Sequence, residues 1–366
     1  MSPSRYSAFQ ECELREILSA SGNKPLLPIA PEAELGSVIH LLLEAAGRGD
    51  LDEGSQKQVA QSWNYFLLEA EEKMARSPLT RPQVPLNESV PDYEVRKLRA
   101  FKRAAEIARE ASRSAKTSDT PTSKRPTFEF WVESNDGAIG GRIDRALMTG
   151  KGLIISDYKS GFVFEDVAEG NQKEVKIAYR QQMELYAALF HAKFIEWPDL
   201  LEILPLQGDA VIFSYSRDEA SSLLQEASDR LCKINKSVEK ILSSSESEWS
   251  LSSPKAKHCR FCLYRPACVP YWELRTKDEE QRWPYDVRGT IVDINELRGG
   301  KLCIQLLPKS KDSAIITIRN ITDSLERYPE LDQISIDSQV AFYGLQYQYH
   351  SQDYSESRMT VLYKDE

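Results

Sequence analysis

The sequence predicts an α/β core with a helical insertion, followed by a small all-β barrel, and three observations carry that reading. Short apolar segments at 127–133, 141–145, 153–159 and 209–215 have the period of strands, and helical patterns at 177–194 and 218–242 alternate with them, as in an α/β layer. A helix-rich stretch at 55–112, interrupted at 78–91, separates an N-terminal helical pair from the first strand. Beyond Trp283-Pro284 the helical period disappears. Five short β-patterned segments follow, at 287–294, 302–307, 314–318, 339–347 and 359–363. Five strands in that length suit a closed OB-like barrel, with an SH3-like barrel or a small sandwich as alternatives. The expected organisation is therefore an α/β domain over 1–275 with its insertion at about 48–112, a linker at 276–284, and a barrel over 285–366.

Bulk properties narrow the function classes. A chain of 366 residues has room for two domains and a sizeable core. No apolar run is long enough to span a membrane and no secretory leader is evident, which predicts a cytoplasmic protein without a membrane partner. The net charge of −9 excludes a basic coat for nucleic acid but allows a local basic groove. Six cysteines in a reducing compartment favour metal ligation over disulfides. No phosphate-binding Walker sequence is present, so nothing suggests an ATP motor.

Taken in order, 4–18 reads as a helix with Ser7 and Gln10 as a capping box. A second helix covers 36–47 and contains His40. The last helix of the insertion, roughly 93–111, is studded with Arg and Lys, and the Ser/Thr/Lys/Pro-rich 112–126 reads as a mobile loop. Three strands follow, then an acidic loop at 165–174, the helix 177–194, the strand 209–215 and the long amphipathic helix 218–242. A Ser/Glu-rich loop at 243–253 then delivers a cysteine cluster.

The chemistry concentrates in Gly141-Arg142-Ile143-Asp144-Arg145 and Leu153-Ile154-Ile155-Ser156-Asp157-Tyr158-Lys159-Ser160-Gly161. Glycines at 140, 141, 150 and 152 bracket the two strands as a β-hairpin. Strand alternation puts Asp157 and Lys159 on one face and Tyr158 on the other. With Asp144 projecting to the same face, two carboxylates and an ammonium converge, a site for a hard divalent cation beside a lysine. Such a site suits phosphodiester hydrolysis. Mg²⁺ or Mn²⁺ lowers the pKa of a water, and Lys159 orients it or meets the charge developing on the phosphate.

These residues resemble the signature of PD-(D/E)XK nucleases, specifically the RecB-type branch, in which a Gly-x-x-Asp-Arg strand precedes an Asp-Tyr-Lys-(Ser/Thr)-Gly strand end. Two further motifs stand in that branch's order. Gln182 and Tyr186, one helical turn apart on the helix after the Lys159 strand, resemble its Gln-x-x-x-Tyr helix, which borders the active site and contacts DNA. Gly36 to Glu44 resembles its Gly-x-x-x-His helix, in which the histidine ligates metal; without that context His40 would read as a core residue. The resemblance implies a restriction-endonuclease-like fold and a metal-dependent DNA nuclease. Asp144, Asp157, His40 and the Tyr158 backbone carbonyl would hold Mg²⁺ or Mn²⁺, and Lys159 would act on the water. An exonuclease is preferred over an endonuclease, on single-stranded or end-bearing DNA.

Cys259-x₂-Cys262-x₅-Cys268 has the spacing of metal ligands and lacks a fourth. Cys12 falls where the iron–sulfur nucleases of this branch, including AddB, exonuclease V and the CRISPR-adaptation nucleases, keep their first cysteine. The resemblance thus implies a structural [4Fe–4S] cluster on Cys12, Cys259, Cys262 and Cys268, with Zn²⁺ as the alternative metal and His258 as an alternative ligand. Cys232 and Cys303 read as core residues. Arg142, Arg145 and Arg180 flank the site, where they are either solvated or a phosphate clamp. Among Phe342, Tyr343, Tyr347 and Tyr349, those that face outward have the chemistry to stack on single-stranded bases.

A helicase or a single-strand-binding protein is the expected partner besides DNA. The rival readings are a non-catalytic DNA-binding or scaffold subunit of a helicase–nuclease or defence complex, and a zinc-stabilised interaction module. The first requires a decayed site, yet both carboxylates and the lysine are present. The second leaves His40, Asp144 and Lys159 unexplained.

Overall fold

The structure, a computed structural model, describes residues 1–52, 55–116, 127–166, 173–244, 247–275, 282–308 and 314–364. In chain order the helices are α1 (Tyr6–Glu11), α2 (Glu13–Ala20), α3 (Pro31–Arg48), α4 (Gln56–Ala75), α5 (Leu86–Ser89), α6 (Tyr93–Lys116), α7 (Ile177–Phe194), α8 (Arg217–Ser243), α9 (Ala256–Cys259) and α10 (Val269–Arg275). The strands are β1 (Thr127–Glu133), β2 (Gly140–Thr149), β3 (Gly152–Lys159), β4 (Phe164–Asp166), β5 (Lys173–Val175), β6 (Leu200–Pro205), β7 (Val211–Phe213), β8 (Val287–Leu297), β9 (Lys301–Pro308), β10 (Ile316–Thr322), β11 (Gln339–Tyr343), β12 (Gln346–Gln348), β13 (Asp353–Ser355) and β14 (Val361–Lys364). Two compact units emerge. The first comprises 1–13, 32–70 and 92–248; the second comprises 14–31, 71–91 and 249–366.

In the first unit a five-stranded sheet runs in the order β1-β2-β3-β6-β7. β2 and β3 form the expected hairpin, pairing from Arg145↔Ser156 to Thr149↔Gly152. β6, unforeseen in the sequence, lies parallel to β3 and joins it through α7, a β-α-β crossover. Its run Leu200-Leu201-Glu202-Ile203-Leu204-Pro205 is buried at five of six positions. A strand covered on both faces shows no polar alternation, so the period gave no signal. Ile155, Leu201 and Ile203 from the sheet pack with Met183, Leu185 and Leu189 of α7 in one core. Ser216 caps α8 by accepting the Glu219 N–H.

Several local expectations fail. The helix expected over 4–18 is broken at Cys12, whose backbone is extended (φ −161°, ψ 107°). Ser7 lies inside α1, and Arg5 precedes the helix without a side-chain cap. The loop expected from 112 instead continues α6 to Lys116, while 117–126 lies outside the described residues. Of the acidic loop at 165–174, the described ends pair as the β4–β5 hairpin. Cys232, expected in the core, is exposed on α8.

In the second unit the C-terminal sheet is a curled half-barrel of seven strands, in the order β12-β13-β10-β9-β8-β11-β14, instead of the five-stranded closed barrel expected. Gly344, at φ +68°, divides the predicted 339–347 strand into β11 and β12. β13 went unforeseen because three residues are too few for a period to register. Ile291, Ile304, Leu306, Ile318, Val340 and Phe342 form the core of the sheet, and Cys303 is buried as expected. Of the linker expected at 276–284, residues 276–281 lie outside the described residues.

Candidate active site

The hairpin brings Asp144 and Asp157 side by side. Extending the β2–β3 register by one step beyond Arg145↔Ser156 places them opposite each other. Asp144 Oδ2 accepts the Tyr158 backbone N–H at 2.7 Å, which fixes the carboxylate against β3. The N–H and C=O of one strand residue point to the same side, so the Tyr158 carbonyl lies on that edge too. Its ring is buried on the other face, 1% exposed. Burial, and then the Asp157 charge beside it, raises the Asp144 pKa well above the carboxylate range.

Helix α7 completes the row. Lys159 Nζ donates to Gln182 Oε1 at 2.9 Å, and Gln182 Nε2 donates to Asp157 Oδ1 at 2.8 Å. The amide thus holds lysine and carboxylate at once. The same Nζ lies 2.8 Å from Asp157 Oδ2 and 4.7 Å from the centre of the Tyr179 ring. Tyr186, one turn further along α7, lies with its hydroxyl beside Gln182; burial and the two aspartates raise its pKa. Its ring packs where a Cβ on Gly141 would stand, at 3.1 Å, which accounts for a glycine there.

His40 comes from α3, where it is half-buried. Burial lowers its pKa, and Asp157, Lys159 and Glu44 bear on it electrostatically, so at neutral pH the imidazole is neutral, its ligating form. Gly36, one turn earlier, lets α3 approach Ser160: a Cβ there would stand 3.1 Å from Ser160 Oγ.

Two acidic groups escaped the sequence reading. Glu129 stands opposite Asp144 in the β1–β2 register, between Phe128↔Arg145 and Phe130↔Ile143. Its φ of +49° takes it out of the ladder. Burial and then Glu44 push its pKa up to about 7, against the pull of Arg142 and Arg48. Glu129, Asp144 and Asp157 therefore make one row of carboxylates across three strands. Only the register reveals it. Glu202 of β6 sits opposite Ser156 on the other face of the sheet.

The arginines divide. Arg145 is 7% exposed; its guanidinium donates to Glu110 and Glu202 at 2.9 Å each and to Ser156 Oγ at 3.3 Å. The phosphate contact weighed for it is replaced by a structural one, because it points to the face opposite Asp144. Arg180 pairs with Glu184 at 3.0 Å on the side of α7 away from Gln182. Arg142 is solvent-exposed, with only Glu129 at 3.8 Å as an ion partner among the described residues.

The cysteines are split between the units: Cys12 belongs to the first and Cys259, Cys262 and Cys268 to the second. In the second unit, the Cys262 N–H donates to the Cys259 carbonyl at 3.1 Å. Arg265, between Cys262 and Cys268, reaches the buried Asp286 at 2.6 and 3.1 Å, and Asp286 also accepts from Tyr271 and Gly344.

The family model of the PD-(D/E)XK nuclease superfamily matches residues 1–269. The chain belongs to that superfamily. Superfamily members are generally metal-dependent nucleases, and DNA is the substrate that membership implies. No curated protein matches the chain. No helix among the described residues is long and apolar enough to cross a membrane.

As the side chains stand, no group of three or more His, Cys, Asp or Glu among the described residues is gathered to hold a metal ion. The donor chemistry of the PD-(D/E)XK centre still fits a hard divalent cation. Asp157 is 5% exposed and its Oδ2 makes no aligned hydrogen bond, despite the nearby ammonium. Asp144 beside it resists ionisation, and His40 is neutral. A cation would satisfy that oxygen and favour the Asp144 carboxylate, and the neutral imidazole is ready to ligate it.

Proposed function

We propose that this chain is a divalent-metal-dependent deoxyribonuclease of the RecB type, acting as an exonuclease on single-stranded or end-bearing DNA. The observation that carries the reading is the Lys159–Gln182–Asp157 chain of hydrogen bonds beside Asp144. It fixes an ammonium next to two carboxylates, a charge pattern that serves hydrolysis and that the sheet core does not need. A cation held by Asp144, Asp157, His40 and the Tyr158 carbonyl supplies positive charge that makes water acidic and offsets charge on the phosphate.

The chain's own groups do the rest. Lys159, held at a fixed height by Gln182, faces the phosphate oxygens and stabilises the negative charge they gain in the transition state. Tyr186 and Gln182 border the strand being cut, and exposed Arg142 contacts its backbone. By their resemblance to the iron–sulfur nucleases of that branch, Cys12, Cys259, Cys262 and Cys268 are assigned a structural [4Fe–4S] cluster, with residues 1–275 as the nuclease domain and a helicase or single-strand-binding protein as partner.

One anaerobic preparation tests this. Wild-type protein with Mn²⁺ is expected to degrade an end-labelled single strand, and Asp157→Asn and Lys159→Ala to lower the rate by about a thousandfold or more while the circular-dichroism spectrum is unchanged. Iron at about four atoms per chain with a visible charge-transfer band is expected in all three proteins. Near-wild-type cleavage by either variant would remove the assignment of the centre. Zinc in place of iron would remove the cluster alone.

A further inference from the structure

In the second unit four tyrosines form one patch at the β12 end of the sheet. Tyr347 and Tyr354 face each other across β12 and β13, with ring centres 5.3 Å apart. Tyr285 stacks on Tyr347 at 5.6 Å and 25°, and Tyr349 meets Tyr347 edge-on at 5.1 Å. The Tyr285 and Tyr349 hydroxyls are 3.1 Å apart. Core packing does not account for the whole patch: Tyr354 packs against the sheet core, but Tyr349 is 75% exposed and Tyr285 41%, whereas Phe342 and Tyr343 on β11 are buried.

The charges around the patch are cationic. Arg282, exposed, bears on Tyr285, and Arg275 bears on Tyr354. Acidic groups close to these tyrosines in the chain are already engaged: Asp286 by Arg265, Asp353 by Arg319 and Glu356 by Arg327. Exposed phenol rings with arginines at their margin match flat bases joined by phosphates.

We infer that this patch binds single-stranded nucleic acid, with bases stacking on Tyr349 and Tyr285 and phosphates drawn to Arg275 and Arg282. The inference rests on the reading of the chain as a nuclease for single strands, and names a surface, outside the catalytic row, that holds them. Tyrosine brings a large face at low entropic cost, because only two side-chain torsions are frozen on binding. Stacking also tolerates any sequence, as an enzyme degrading arbitrary strands requires.

The test is the affinity of the full chain for a labelled oligothymidylate of roughly a dozen nucleotides, in chelator so that nothing is cut. Tyr349→Ala is expected to weaken binding about tenfold, and Tyr349→Phe, which keeps the ring, to bind as the wild type does. Duplex affinity is expected to be the same in all three. An alanine variant that binds like wild type, or a phenylalanine variant as weak as alanine, overturns the inference. So does Tyr349-dependent capture of a proline-rich peptide that the oligonucleotide does not displace. Failure of the nuclease reading has a separate sign: wild-type protein that does not cut when Mn²⁺ is restored.

Discussion

At the scale of single residues, Glu129 shows what the catalytic row does to the fold. Its carboxyl titrates near 7 in the folded chain against 4.5 as the ordinary value. Between those two values the folded state binds more protons than the unfolded one, so stability falls as pH rises through the window and is regained as pH falls. Asp144, also raised, acts in the same direction. Metal-free protein is therefore expected to melt at a higher temperature as pH is lowered from about 7 towards about 4.5, and Glu129→Gln to flatten that slope. A slope of equal size in the variant would show that Glu129 is not the group responsible. Asp144, Asp157 and Lys159 could be singled out in the sequence because they lie in two adjacent strands that glycines delimit. Glu129 could not. Its side of the strand is decided by a left-handed φ in β1, and its partner Asp144 by a pairing register that no local pattern encodes.

At the scale of elements, the sheet is locked from the face opposite the catalytic row. Arg145 of β2, Ser156 of β3 and Glu202 of β6 stand in one register row, and Glu110 of α6 joins them. Asp144 and Asp157 are the immediate chain neighbours of Arg145 and Ser156, so the two rows share strands β2 and β3. Removing one partner of a buried pair strands the other charge, which costs about 3–5 kcal/mol. Glu202→Ala is expected to lower the unfolding free energy by about 3 kcal/mol in a denaturant titration, because Glu110 still meets Arg145 on its exposed side. A change under about 0.5 kcal/mol would show that the pair is not structural. The hairpin, α7 and α8 were legible from period and bracketing glycines, and β6 was not, because a central parallel strand is apolar throughout. The break at Cys12 and the division at Gly344 were hidden for another reason: both are set by backbone geometry inside otherwise regular patterns.

At the scale of the whole molecule, the chain is acidic, at −9, although its proposed substrate is a polyanion. The two requirements meet only if attraction is local: a cation at the carboxylate row, Lys159 beside it, and arginines at the tyrosine patch. The shift from α/β to all-β patterning at Trp283-Pro284 was legible. That residues 14–31 and 71–91 join 249–366 in one compact unit was not, since packing between segments distant in sequence leaves no local signal. The central claim is that Asp144 and Asp157 hold the cation that the family chemistry requires. It is tested most directly by calorimetric titration of Mn²⁺ into wild-type protein, Asp144→Asn and Asp157→Asn without DNA. Wild type is expected to bind Mn²⁺, with each variant losing at least about tenfold in affinity while its circular-dichroism spectrum is unchanged. Undiminished Mn²⁺ affinity in both variants would contradict the account.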